Sequence, residues 1–157
     1  MISATYNAES VDDTIAIGRS MGERLRGGEV IELISDLGGG KTTLVRGVAE
    51  GVGAKDPVSS PSFTICNTYQ CEDEKQIAHF DFYRLEEAGI VQNELLEYMG
   101  EPDTVVIVEW GDIVHGVLPV RRVQIKITTA DDETRLINCR FPEDLEYIFK
   151  NNEGQVK

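Results

Sequence analysis

The sequence predicts a single α/β domain with a partly parallel sheet, and two stretches carry that expectation. Val30–Ile34 is a short apolar run that leads through Ser35 into a glycine-rich loop ending in Gly40-Lys41-Thr42, with Leu44, Val45, Val48 and Val52 following at helical spacing. Val105-Val106-Ile107-Val108 is a run of four β-branched apolar residues bounded by Asp103 and Glu109. Such a run needs cover on both faces, as the centre of a parallel or mixed sheet provides.

In chain order, Ser10 with Asp13 three residues on is a capping-box variant that starts a first helix, its face marked by Val11, Ile15, Gly18, Met21 and Leu25. Gly27-Gly28 stops it. A second helix is expected from residue 41 to about 51. Pro57 and Pro61 frame a loop, after which residues 62–69 read as extended. The charged turn Glu72-Asp73-Glu74-Lys75 makes these and residues 76–83 two antiparallel neighbours. Residues 85–99 carry Val91, Leu95 and Met99 at four-residue intervals, a helix interrupted near its start by Gly89. Val123-Gln124-Ile125-Lys126-Ile127 alternates at period two, and Asp131-Asp132 turns it into a second strand around Arg135–Phe141. Leu145, Ile148 and Phe149 suit a short last helix. Residues 1–150 thus read as one domain and 151–157 as a loose polar tail.

Bulk properties narrow the function. The 157 residues match one core, and no run approaches the roughly 20 apolar residues that span a bilayer. The N-terminus lacks a basic region followed by an apolar one, and Cys66, Cys71 and Cys139 lack metal-pair spacing, so the expectation is a cytoplasmic protein with free thiols. A formal charge of −13 repels a phosphate backbone at long range, which disfavours an extensive nucleic-acid surface of its own.

The glycine-rich loop carries the chemistry. Glycines let the backbone fold around an anion, inward N–H groups and the helix N-terminus supply positive potential, the Lys41 ammonium reaches outer phosphates, and the Thr42 hydroxyl can ligate Mg²⁺. The strict Walker A pattern asks for glycine where Ser35 stands. Serine fits there only if the backbone keeps an ordinary negative φ.

A triphosphate site also needs groups for the ion and the attacking water. Glu109 ends the apolar strand, where open α/β sheets place ligand-binding groups. Asp81 shares one face of His79-Phe80-Asp81-Phe82-Tyr83-Arg84 with His79 and Tyr83. His79 suits catalysis or the orientation of a carboxylate; Arg84 suits phosphate charge or an exposed ion pair. Ser59-Ser60-Pro61-Ser62-Phe63-Thr64 has the composition of a nucleotide-sensing loop. Trp110 suits packing beside the nucleotide, anchoring a partner or filling the core. No Asn-Lys-x-Asp or Thr-Lys-x-Asp base-reading tetrad occurs, and no arginine is evidently placed for the γ-phosphate.

Taken together, Asp36-Leu37-Gly38-Gly39-Gly40-Lys41-Thr42-Thr43, Ser60-Pro61-Ser62-Phe63-Thr64, His79-Phe80-Asp81-Phe82-Tyr83-Arg84-Leu85 and Val108-Glu109-Trp110 resemble the bacterial TsaE (YjeE) family. The resemblance spans about residues 10–140. It implies a P-loop fold with a mixed sheet, antiparallel strands at its edges and helices on both faces, and a Mg²⁺-dependent ATPase; with no arginine evidently placed for the γ-phosphate, hydrolysis is expected to be slow alone and faster with partners. It further implies two partners, TsaD and TsaB, whose threonylcarbamoyl transfer to adenosine 37 of tRNAs reading A-starting codons this ATPase sustains. Residues 36–43, Ser62, Thr64 and Trp110 would contact nucleotide; Thr42, Asp81 and Glu109 would serve the metal; Lys41, Asp81 and Glu109 would serve catalysis. The family's glycine, threonine and proline are Ser35, Ser62 and Gly111 here, and Glu86-Glu87-Ala88-Gly89 replaces its proline-containing helix start. An ATP-gated assembly module and a small-molecule P-loop kinase are the alternatives.

Overall fold

The computed structural model describes residues 1–35, 40–61, 64–87 and 89–149, together with the backbone of 155–156. Its frame is an eight-stranded mixed sheet, with β1 at Ile2–Ala8, β2 at Val30–Ile34, β3 at Cys66–Gln70, β4 at Gln76–Asp81, β5 at Thr104–Glu109, β6 at Val123–Thr129, β7 at Arg135–Phe141 and β8 at Gln155–Val156. The spatial order is β3-β4-β5-β2-β6-β7-β1-β8. The four central strands β4, β5, β2 and β6 are parallel, while β3, β7, β1 and β8 join antiparallel. Every residue of β5 is buried, as its unbroken apolar run requires.

Helices α1 (Val11–Gly22) and α2 (Lys41–Val52) cover one face, and α3 (Gly89–Met99) covers the other. Odd-numbered β5 residues Val105 and Ile107 join the larger core under α1 and α2; even-numbered Val106 and Val108 join the smaller core that includes Leu95 of α3. The Ser10 cap is present, its hydroxyl accepting from Asp13 N at 3.1 Å while Asp13 Oδ2 accepts from Glu9 N at 3.0 Å. Gly18 and Gly22 of α1 face Gly47 and Gly51 of α2. A Cβ at any of the four would fall 2.2–2.5 Å from a carbonyl oxygen of the opposite helix, so the crossing brings backbone against backbone.

Several boundaries differ from expectation. β1 has no strong sequence signal, because its inward residues Ala4, Tyr6 and Ala8 include two alanines; pairing with β7 makes it a strand. β3 starts at Cys66, since Thr64 and Ile65 both donate backbone bonds to Pro61 O and Ile65 takes a φ of 70°. Val11 is exposed, so the buried face of α1 runs through Thr14, Gly18, Met21 and Gly22. Helix α3 begins at Gly89, and residues 85–87 precede it without helix. The last helix is a short 3₁₀ segment, Glu143–Ile148, and within the expected tail Gln155 pairs with Thr5 and Val156 with Ala4.

Candidate nucleotide site

The parallel strands β2, β5 and β4 end side by side, and α2 starts at the same edge. Asp36, Leu37, Gly38, Gly39 and Ser62 lie outside the described residues, so the site is built from its flanks. Ser35 takes no positive φ, which removes the strain that glycine's absence threatened there. At the far end of the loop Gly40 does take the left-handed conformation, with φ 96°, and α2 starts without a side-chain cap. Its first turn, containing Lys41, Thr42 and Thr43, leaves N–H groups that an anion can satisfy.

Lys41 is buried and held on two sides. Its Nζ donates to Ser35 O at 3.0 Å and lies 4.6 Å from the centroid of the Trp110 ring. Trp110 follows β5 in a left-handed conformation, φ 56°, uncommon for a bulky side chain, and its ring packs 4.9 Å from that of Tyr83. A chain of contacts thus joins the start of α2 to the ends of β5 and β4.

Asp81 and Glu109 are directly paired in register across β4 and β5, and both are buried. Asp81 Oδ1 accepts from Tyr83 N at 3.0 Å, and Asp81 N donates to Ile65 O at 2.8 Å, which ties the loop after Pro61 to this edge. Glu109 Oε2 is 2.7 Å from His79 Nε2, and this pair is almost wholly shielded from solvent. The Thr64 hydroxyl donates to Asn67 Oδ1 at 2.8 Å.

This donor set suits Mg²⁺ with a triphosphate. Such an ion needs only a hydroxyl and one or two carboxylates from the protein, with phosphate oxygens and waters completing its shell. Thr42, Asp81 and Glu109 are the residues that could supply it. Among the described residues no three His, Cys, Asp or Glu side chains form a cluster able to cage a metal alone.

Two neighbouring features escaped sequence reading. The stem of Arg135, at the start of β7, lies against Gly40, with Nε 3.5 Å from where a Cβ would stand. Its Nη1 donates to the carbonyls of Asp131, Asp132 and Thr134. Ninety-four residues lie between Gly40 and Arg135 in sequence, so no local pattern joins them. A cavity of about 700 Å³, bordered by Ser35, Trp110, Asp112, His115, Lys126 and Thr128, opens beside the Lys41–Trp110 contact. Gly111 is buried at its rim, where a Cβ would come 3.0 Å from Glu32 Oε2.

Comparison with known proteins agrees with this fold. The family model "Threonylcarbamoyl adenosine biosynthesis protein TsaE" matches residues 8–137. The chain is 36% identical over 120 residues to the tRNA threonylcarbamoyladenosine biosynthesis protein TsaE of Streptomyces coelicolor, covering 75% of this chain and 80% of that one. It is 36% identical over 126 residues to the TsaE of Bacillus subtilis, covering 80% and 78%. The crystal structure of Bacillus subtilis YdiB superposes with a TM-score of 0.75 at 31% identity, covering 96% of this chain and 94% of that one. With its mixed sheet, its Gly-Lys-Thr helix start and its paired carboxylates, the chain belongs to the TsaE family, the ATPases of tRNA threonylcarbamoyladenosine biosynthesis.

Proposed function

We propose that this chain binds ATP with Mg²⁺ across residues 36–43 and hydrolyses it to sustain repeated turnover of a TsaD–TsaB-type threonylcarbamoyl transferase. The observation that carries the reading is the placement of Lys41, at the head of α2, beside Trp110 and next to the strand ends that hold Asp81 and Glu109. Lys41 exchanges its bond to Ser35 O for an outer phosphate oxygen, bringing its charge to the phosphates. The first-turn N–H groups and the Thr43 hydroxyl add donors, and the Thr42 hydroxyl supplies a metal ligand. Asp81 and Glu109 would hold Mg²⁺ through its waters and place the water that attacks the γ-phosphoryl; as that water's oxygen bonds to phosphorus, the bond to the β–γ bridging oxygen breaks, and inorganic phosphate and ADP leave. When bound, Mg²⁺ neutralises charge developing on the phosphate oxygens. Ser62 and Thr64 serve as the loop that responds to the γ-phosphate, and Trp110 covers the nucleotide beside a cavity of a size usual for small-molecule sites.

The acidic chain meets tRNA only through its protein partners in this proposal, and acts in the cytoplasm. Among the described residues no helix is long and apolar enough to cross a membrane. The test is multiple-turnover threonylcarbamoylation by purified TsaD- and TsaB-type proteins with the wild-type chain or Lys41→Ala. Stimulation by the wild type and its loss in Lys41→Ala is the expected result; equal stimulation by both sinks the assignment. A non-hydrolysable ATP analogue that supports many turnovers would favour ATP-gated assembly over hydrolysis.

A further inference from the structure

His79 is an unusual residue for the middle of a sheet. It sits on β4 one pleat below Asp81, opposite Ile107 and two residues from Ile77, with no exposed surface. Its Nε2 meets Glu109 Oε2 at 2.7 Å, whereas its Nδ1 is buried with no hydrogen-bond partner among the described residues. A proton on Nε2 is what turns this contact into a hydrogen bond: a bare Nε2 would set its lone pair against the Glu109 carboxylate at 2.7 Å, whereas an Nε2–H donates to Oε2 and leaves Nδ1 as the atom without a partner. An aliphatic side chain like those of Ile77 and Ile107 would fill this place without the unpaired nitrogen, so the fold keeps the imidazole for its one donated bond.

We infer that His79 is a positioning residue for Glu109, fixing Oε2 from below so that Glu109 works through Oε1 alone at the strand end. The inference rests on Glu109 serving hydrolysis, as proposed above. It makes Glu109 a one-oxygen participant, with the rotamer set before nucleotide arrives.

The test is a mutant cycle on the full chain with its partner proteins, reading kcat for ATP hydrolysis, ADP affinity by calorimetry and the thermal midpoint. Glutamine places an amide nitrogen near the reach of Nε2, and asparagine places one near the reach of Nδ1. His79→Asn is expected to lower kcat about tenfold or more, with ADP affinity within about twofold of wild type, while His79→Gln restores most of the rate. In a Glu109→Gln background, His79→Asn is expected to cause no further loss, because the carboxylate it positions is gone. Equal rates for the Asn and Gln variants, or losses that multiply in the double variant, would overturn the inference. Should His79→Asn fail to fold, His79→Leu in the same two backgrounds supplies the cycle. Wild-type hydrolysis by Glu109→Gln alone would instead overturn the role of Glu109 on which the inference rests.

Discussion

Gly22→Ala tests the link between helix packing and the phosphate loop. A methyl group at Gly22 would lie 2.2 Å from Val48 O and 2.9 Å from the Cα of Gly51, both backbone atoms of α2. No rotamer change relieves such a contact, so α1 and α2 must separate by about 1 Å to restore van der Waals distance. Overpacking of this kind costs typically about 1–3 kcal/mol, and here the upper end applies because the obstacle is main chain. Alanine's helix propensity returns about 1 kcal/mol. The net loss of about 2 kcal/mol lowers the thermal midpoint by about 4–8 °C in a domain of this size. Because α2 also carries Lys41 and Thr42, the same displacement weakens ADP binding. Differential scanning fluorimetry with calorimetric ADP titration measures both, and Gly116→Ala is the control, since a Cβ there meets nothing within 4 Å. A Gly22→Ala protein as stable as wild type would refute the backbone-contact reasoning.

Asp81→Asn keeps an acceptor for Tyr83 N but removes a charge, so it is expected to fold normally while kcat falls about 10–100-fold and the Mg²⁺ requirement rises; wild-type kinetics would remove Asp81 from the site. Arg135→Gln is expected to weaken ADP binding several-fold at low ionic strength, with the difference shrinking as salt is added, and an affinity equal to wild type in low salt would show that this cation does not reach the nucleotide. Burial, with a smaller push from the Glu94 carboxylate, raises the Cys66 thiol from 9.0 to about 12, and burial raises Cys71 and Cys139 as well. Native protein at pH 8 is therefore expected to react with Ellman's reagent far more slowly than denatured protein. The stability contributed by the neutral Cys66 thiol is full below its ordinary value and is lost as pH rises through about 12. A native thiol titrating at the denatured rate would contradict this.

The features legible from sequence are those whose physics is local or periodic. The apolar runs of β2 and β5, the alternation of β6, the Ser10 cap and the Gly-Lys-Thr helix start each constrain a few adjacent residues, and each lies where expected. Asp81 and Glu109 are legible as carboxylates at the ends of two strands, which is where the structure has them. Relations between strands were not. The register that sets Asp81 beside Glu109, the reach of His79 to one Glu109 oxygen and the approach of Arg135 to Gly40 depend on chain segments 28 or more positions apart meeting across the sheet. Ile65 and Trp110, neither of them glycine, take left-handed conformations that no propensity favours, because the contacts around them decide the backbone. Local pattern sufficed for the central strands, the first two helices and the candidate chemistry; β1 and β8, the pairing of Asp81 with Glu109, the His79–Glu109 contact and the approach of Arg135 to Gly40 came from tertiary packing, since they are set by distances between strands that no local pattern encodes.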